Sequence, residues 1–379
     1  MPIIGCTGND GFRETVGGLR TTDLGSAVER QLSPQRQAKP AGPLPAPHAA
    51  LMCGRAWKRR RIKPGRFETG LIDNFRKFAL LVVSRSSSRK ETAMRTSFYA
   101  SQSLYSEPGP YRDTLMRGGA EPRQVARWIG SFMQHPRGAE TAERGFTPEQ
   151  AADLELRSVA EILSVAVARA LPDGDGAQPK VGGVCRDFAI LAAGLFRARG
   201  TPARLRAGFA DYIVPGHWED HWLCEWHDGG RWRRFDVEFT AIRGVAFDTL
   251  DVPRDRFITA GEAWFRIRRA PDSAARFGVS GLDLRGAWFV AGSLMRDMAA
   301  LRKLELKPWD YWGLSQDLSR DSAAWPPHAE TTLDELASRL GDADVAGEDE
   351  PESIRDWPLP REVVGFPHGA PMAVVLRHA

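Results

Sequence analysis

The segment from residue 181 to residue 238 most constrains the fold, because it places one helix directly before three strands. The range Cys185–Arg199 has apolar residues at helical spacing, and Gly200-Thr201-Pro202 is a stop signal for a helix. Ala203–Ile213 then has the composition of a strand, and His227-Asp228-Gly229-Gly230 is a hairpin signal between two further strands.

The length and composition are those of an ordinary globular chain. There are 379 residues, of which 42% are hydrophobic and 26% are charged. No run of about 18 apolar residues occurs and Met1–Arg20 lacks a signal-peptide pattern, so neither a membrane segment nor secretion is predicted. Four cysteines are too few for a disulfide scaffold. These features favour a cytoplasmic protein with free thiols.

Residues 1–93 differ from the rest and are predicted to be a disordered, basic extension. They hold 17 Lys and Arg against 7 Asp and Glu, whereas the remaining residues hold 35 and 41. The cluster Arg55–Arg66 could bind nucleic acid, but an unstructured extension explains it as well, and a third interpretation is that translation starts at Met94. Because the basic excess belongs to this segment, no nucleic-acid partner is expected for the folded part.

Residues 94–315 are predicted to form the folded domain, and residues 316–379 an acidic, weakly structured tail. Thr147, Pro148 and Gln150 form a capping box at the start of one helix. Four helices besides the one at Cys185 are expected from the apolar spacing, over Glu121–His135, Thr147–Leu171, Thr259–Arg269 and Gly286–Leu304.

Three residues of the central segment have the types needed for nucleophilic catalysis: Cys185, His221 and Asp236. Cys185 opens the predicted helix, where the helix dipole and unpaired N–H groups favour a thiolate. If the hairpin turned at Asp228-Gly229, then His221 would lie directly opposite Asp236 on the same face of the sheet. A slip of one residue would put the two on opposite faces. The order predicts that Asp236 orients His221, that His221 moves the proton, and that Cys185 attacks an acyl carbon.

Each of the three residues also has an ordinary structural interpretation. A cysteine in an apolar helix is usually a packed core residue. A histidine on a strand is often structural, and Asp236 could simply pair with one of the arginines before it. Only the conjunction of order, spacing and register favours catalysis. The backbone N–H of Cys185 is a candidate oxyanion donor, and the sequence identifies no second one.

Other candidates in the segment are weaker. Cys224 falls on the strand face opposite His221 and is expected to be a packed thiol. His217 and His227 could form a zinc cluster with His221, but they span a turn and a strand and no CxxC pattern accompanies them. Neither a metal nor a cofactor is therefore predicted. Trp218 and Trp222 could line a substrate groove, although strand tryptophans are more often core residues.

Four motifs of this segment together resemble the transglutaminase-like superfamily, in particular its bacterial members. They are Cys185-Arg-Asp at the start of a helix, Arg199-Gly-Thr-Pro-Ala-Arg before a strand, Asp220-His-Trp, and Trp232-Arg-Arg-Phe-Asp. The resemblance implies a papain-like α+β fold with added helices, in which the helix that begins at Cys185 packs on an antiparallel sheet. It also implies a Cys-His-Asp triad at Cys185, His221 and Asp236. The calcium-dependent animal enzymes carry extra β-sandwich domains that this chain lacks, so calcium is not predicted.

The resemblance leaves the reaction open, because the superfamily includes cross-linking enzymes, peptidases, deglycosylating enzymes and inactive members. We expect a cysteine-dependent enzyme that processes amide or peptide bonds of a protein or peptide substrate through a thioester, with hydrolysis slightly favoured over acyl transfer. The alternative is a non-catalytic peptide-binding module on the same fold. The sequence indicates neither the substrate's identity nor the oligomeric state.

Overall fold

A computed structural model describes residues 97–171, 179–242, 245–346, 352–366 and 371–376. The predicted extension over residues 1–93 and its basic cluster lie outside these residues. The described part has mixed helices and sheets and is an α+β fold, as the sequence predicted. No helix within these ranges is long and apolar enough to cross a membrane.

The first half is helical and leads to Cys185. Its helices are α1 Ser97–Ala100, α2 Arg112–Met116, α3 Pro122–Phe132, α4 Ala139–Arg144, α5 Pro148–Asp153, α6 Val159–Ala168 and α7 Cys185–Ala198. Two short strands, β1 Met133–Gln134 and β2 Val181–Gly182, pair in parallel just before α7. The helix α7 is therefore anchored at its start by β2 and ends where its stop signal was predicted.

One predicted helix is in fact two. The capping box at Thr147 is present, since its hydroxyl accepts from the N–H of Gln150. However, the helix ends at Asp153, and a second capping box between Ser158 and Glu161 starts α6. The prediction of a single helix over Thr147–Leu171 was wrong because the second box competes with continuation of the first helix.

The second half forms a six-stranded sheet and the helices that cover it. The strands are β3 Ala203–Ala210, β4 Trp218–His227, β5 Trp232–Phe235, β6 Phe257–Thr259, β7 Phe277–Val279 and β8 Leu284–Arg285. The spatial order is β6-β3-β4-β7-β8, and β5 pairs with the far end of β4. The pairs are antiparallel except for β4 with β7. The remaining helices of this part are α8 Val237–Ile242, α9 Ala260–Arg269 and α10 Ala287–Leu301.

The helix α7 packs against β3 and β4, as the family resemblance implied. Leu205, Ala207 and Phe209 of β3 are buried in the same cluster as Phe188, Leu191 and Leu195 of α7. Successive residues of a strand point to opposite faces of the sheet. The residues of β3 that alternate with Leu205, Ala207 and Phe209 therefore point to the other side, as do the residues of β4 that pair with them. His221 belongs to that second set, next to Leu223.

The expectation of a weakly structured tail after residue 316 was wrong for the described residues. They form α11 Leu314–Asp317, the long helix α12 Ala329–Ala346, and the antiparallel pair β9 Glu362–Gly365 and β10 Met372–Val375. Leu333, Leu336 and Leu340 of α12 are buried in the main core, while Asp334 and Glu330 pair with Arg268 of α9. Glu330 and Asp334 lie on one face of α12, and Leu333, Leu336 and Leu340 form an apolar face at helical spacing.

Candidate active site

Cys185 is the first residue of α7, and the chain before it is tightly held. The N–H of Gly183 donates to the carbonyl of Gln134 at 3.0 Å, which continues the β1–β2 pairing. The N–H of Val184 donates to the side chain of Asp187 at 3.0 Å. As the first residue of the helix, Cys185 has a backbone N–H without an acceptor in its own helix. The thiol and this N–H therefore lie at the positive end of the helix dipole.

Asp187 is the centre of a buried group of charges beneath this helix start. Lys307 donates to its two carboxylate oxygens at 2.8 and 2.9 Å, and Arg186 donates to it at 3.0 Å. All three residues are at most 1% exposed. Lys307 lies 120 residues after Asp187 in the chain, and no local pattern in the sequence indicates this contact.

His221 lies on β4, where it pairs with Gly208 of β3. Its Nε2 is 2.9 Å from the Oδ2 of Asp236. The edges of the rings of Tyr212 and Phe239 face the imidazole, with centroids at 6.1 and 5.8 Å. Since Nε2 is occupied by Asp236, Nδ1 is the nitrogen left to face the thiol of Cys185, whose proximity acts to raise the pKa of His221.

The predicted register of the hairpin was wrong by two residues. His227 pairs with Trp232 rather than Gly230, because the loop contains four residues. In this register Asp236 is not opposite His221 but follows the end of β5. It starts α8, where its Oδ1 accepts from the N–H of Phe239 at 3.0 Å, an N-capping hydrogen bond. A shift of two residues keeps the same strand face, so the contact with His221 is preserved.

Tyr212 is a member of the site that sequence reasoning missed. Its hydroxyl donates to the Oδ2 of Asp236 at 2.5 Å, so this one oxygen receives both Tyr212 and His221. The carboxylate of Asp236 is thus held by three donors and is fully buried. Tyr212 follows the end of β3 in a bend, and only the three-dimensional path of that bend brings it to the site.

Burial and charge act on the thiol and the imidazole in opposite ways. Burial raises the pKa of the Cys185 thiol to about 11, although hydrogen bonding and charge from His221 act to lower it. Burial would lower the pKa of His221, but the charge and hydrogen bond of Asp236 outweigh this effect. The pKa of His221 therefore lies well above its ordinary value of 6.5. The thiol accordingly needs a base for its proton, and His221 is the base within reach.

The other histidines of the segment do not join this group. The Nε2 of His217 lies 3.2 Å from the carbonyl of Gly278, and the Nδ1 of His227 accepts from the N–H of Gly229 in the hairpin loop. Among the described residues, no three His, Cys, Asp or Glu side chains are grouped so as to hold a metal ion.

The remaining candidates of β4 have structural surroundings. Cys224 is fully buried on the face opposite His221. Trp222 is buried in the main core, and Trp218 stacks on Phe277 with ring centroids 5.9 Å apart. The arginines before Asp236 also have other partners, since Arg233 pairs with Asp228 and Asp251, and Arg234 pairs with Glu225.

Comparison with known proteins identifies the class of the fold and site. Residues 167–237 match the model of the transglutaminase-like superfamily, a family of cysteine-based enzymes. The matched segment runs from the end of α6 to one residue beyond Asp236, so it contains Cys185 and His221 as well. Residues 167–237 are thus similar to the core of the transglutaminase-like superfamily, and the resemblance seen in the motifs of this segment is confirmed.

The other comparisons add little detail. No curated protein has significant sequence similarity to this chain. Among solved structures, a candidate cysteine protease from Cytophaga hutchinsonii is similar at 21% sequence identity, with a TM-score of 0.26. The similarity covers 42% of this chain and 44% of that one, so the chain matches less than half the length of the solved protein.

Proposed function

We propose that this protein is a cysteine-dependent enzyme that cleaves or transfers an amide or peptide bond through a thioester. The observation that carries the proposal is the series of contacts from thiol to imidazole to carboxylate. Cys185 adjoins His221, and the far nitrogen of His221 is held 2.9 Å from Asp236. Nucleophile, base and orienting group in this order are the components of nucleophilic acyl transfer.

In the proposed reaction, Nδ1 of His221 accepts the proton of Cys185 as the sulfur attacks the acyl carbon. The resulting oxyanion would accept from the backbone N–H of Cys185 at the helix start. As the intermediate collapses, the C–N bond breaks and the leaving amine takes the proton from His221. Water or an amine then attacks the thioester, again giving a proton to His221, and the Cys185 sulfur leaves and recovers that proton. Throughout, Asp236 would stabilise the charged imidazole.

The substrate class we propose is a protein or peptide, and we favour water as the second reactant. No feature of the sequence marks a site for a lysine acceptor. A reducing compartment such as the cytoplasm would keep Cys185 free for this chemistry. The catalytic unit would comprise the described residues from α1 onward, because one continuous core includes residues from Tyr105 to Leu376.

Alkylation of Cys185 tests the part of the proposal that concerns the base. Iodoacetamide labelling is followed by peptide mapping, so that Cys185 is measured separately from the other cysteines. In the proposed mechanism His221 assists removal of the thiol proton. We therefore expect alkylation of Cys185 to slow by roughly 10²-fold in His221→Ala. Cys224, which is fully buried on the strand face opposite His221, is the internal control. Equal rates in the two proteins would contradict the proposal.

The acyl-enzyme itself is the decisive intermediate. The full chain is incubated with a peptide ester and the intact mass is recorded, with Cys185→Ala as the matched control. We expect an acyl adduct on Cys185 that disappears with incorporation of heavy oxygen from labelled water. If an added primary amine captured the acyl group in preference to water, acyl transfer rather than hydrolysis would be the reaction.

A second function, a peptide-binding module without catalysis, is favoured by one observation. Cys185 is only 7% exposed, and burial raises the pKa of its thiol to about 11. Such a thiol could be a packed residue in an inherited fold. The two functions differ in the acylation experiment, because a binding module would retain peptide affinity but give no adduct on Cys185.

A further inference from the structure

An apolar pocket, lined in part by the residue that precedes His221 in the sequence, is not used by the mechanism above. Its volume is about 80 Å³, several times the ~10–15 Å³ that one water molecule requires. The walls come from several separate parts of the fold and include Asp220, Val279, Leu284, Phe289, Trp309 and Tyr311. We call this group of residues the apolar pocket.

Two walls of the apolar pocket connect it to the site. Asp220 immediately precedes His221 on β4, and its charge acts on the thiol of Cys185. On the other side, the ring of Trp309 lies 5.5 Å from the ammonium group of Lys307, which binds Asp187 in the first turn of α7. The pocket therefore adjoins the histidine strand through one wall and the start of the nucleophile helix through another.

The charges around the pocket indicate what it can accept. The guanidinium of Arg296 is buried behind two of the walls, 5.1 Å from the ring centre of Tyr311 and 5.8 Å from that of Phe289. This fixed cation disfavours a second cation in the pocket. It also offsets the charge of Asp220, the acidic group of the lining. An acidic side chain would meet Asp220 directly. A neutral, apolar side chain fits these surroundings best.

We propose that the apolar pocket binds a large apolar side chain, aromatic or aliphatic, of the peptide substrate next to the bond that Cys185 attacks. This inference rests on the proposed function and deepens it by naming a substrate class. Burying such a side chain would contribute binding energy that holds the scissile amide between Cys185 and His221. The selectivity of the enzyme would then be for apolar over small or charged residues at one substrate position.

The test compares peptides that differ at single positions around the cleaved bond, with Phe, Leu, Ala, Arg or Glu. Leu284→Trp fills the pocket, and Val167→Trp, at an exposed position outside the lining, is the matched control. We expect kcat/KM for the Phe and Leu peptides to fall by roughly 10- to 200-fold in Leu284→Trp, mainly through KM. Val167→Trp should leave kcat/KM for all five peptides and the alkylation of Cys185 unchanged.

The experiments distinguish a wrong pocket proposal from a wrong proposed function. If small esters acylate Cys185 but the enzyme prefers no apolar residue, or prefers Arg, the pocket proposal is overturned and the function stands. If no ester acylates Cys185, calorimetry on the Cys185→Ala protein still decides. Phe-containing peptides should bind more tightly than their Ala counterparts, and Leu284→Trp should abolish the difference. Equal affinity for both peptides would overturn the pocket proposal without any catalysis.

Discussion

His221 and Asp236 are hydrogen bonded at 2.9 Å although they are not opposite each other across the hairpin. The contact forms because the chain turns after Phe235 into α8, with Asp236 as its capping residue. The capping N–H of Phe239 and the hydroxyl of Tyr212 hold the carboxylate from two other directions. The position of the imidazole therefore depends on a strand, a helix start and a bend, and not on strand pairing alone.

Asp236→Asn removes the charge that keeps the pKa of His221 high. Burial, which lowers the pKa of a histidine, would then dominate, so the pKa should fall. In the pH profile of Cys185 alkylation, the part where the rate rises with pH should shift to lower pH. The kcat/KM should also fall by roughly 10²- to 10⁴-fold. The measurement is the alkylation rate of Cys185 across pH in the two proteins. Asp248→Asn, at a surface position of the same loop region, should leave the profile unchanged.

Asp220→Asn should stabilise the protein at neutral pH and leave stability unchanged in acid. Burial raises the pKa of Asp220 from 3.8 to about 6. A carboxyl whose pKa is raised by folding opposes folding once it ionises, so wild-type stability falls as pH rises from about 4 to about 6. Asparagine cannot ionise, so the variant should not lose stability over this pH range. Urea unfolding of both proteins at acid and neutral pH measures the difference, and an equal difference at both values would contradict the assigned cause.

The sequence predicted the helix at Cys185, the hairpin and the face shared by His221 and Asp236, because all three depend on local periodicity. It missed the register because Asp228 accepts from the N–H groups of both Gly230 and Arg231 and so closes a four-residue loop. A short Asp-Gly pair has the same signature in a two-residue turn. The prediction that His221 and Asp236 share a face still holds, because the register differs from the predicted one by an even number of residues.

Other parts of the site could not be predicted from local patterns. Lys307 and Tyr212 reach Asp187 and Asp236 from separate elements, and nothing in the sequence near them indicates their partners. The helix α12 was different, since its apolar spacing was visible. The acidic composition of residues 316–379 favours a solvated tail, but burial of Leu333, Leu336 and Leu340 in the core stabilises a helix there.

Lys307→Met should destabilise the fold strongly, because it leaves the buried carboxylate of Asp187 with less compensation. Removing one partner of a buried ion pair typically costs about 3–5 kcal/mol. Adding Asp187→Asn removes the uncompensated charge while retaining an oxygen that can accept from the N–H of Val184. The double variant should therefore be more stable than Lys307→Met alone. Denaturant unfolding of the unchanged protein, the two single variants and the double variant gives the coupling free energy between Lys307 and Asp187. Additive effects of the two substitutions on stability would be inconsistent with a direct ion pair.

Ala substitutions at Gly182 and Gly183 should have unequal effects. A Cβ at Gly182 would overlap the backbone carbonyl of Gln150, which cannot move without shifting β2. A Cβ at Gly183 would chiefly overlap the end of the flexible Met133 side chain. Gly182→Ala should cost about 1–3 kcal/mol and slow acylation of Cys185, since β2 leads into α7. Gly183→Ala should reduce stability by less than Gly182→Ala does. Combining Gly183→Ala with Met133→Ala should remove the remaining overlap between the new Cβ and the Met133 side chain. Thermal unfolding and burst acylation measure both effects.

Leu336→Ala tests whether α12 is part of the domain core. Leu336 is fully buried, and α12 packs against α9 and α10. Creating a cavity at such a position costs about 2–5 kcal/mol, and we expect a loss in this range. Glu335→Ala changes the neighbouring residue, whose side chain is half exposed and pairs with Arg339, and should alter stability by no more than about 0.5 kcal/mol. Urea unfolding monitored by far-UV circular dichroism compares the two variants. If Leu336→Ala were as mild as Glu335→Ala, then α12 would not contribute to the stability of the fold that holds Cys185.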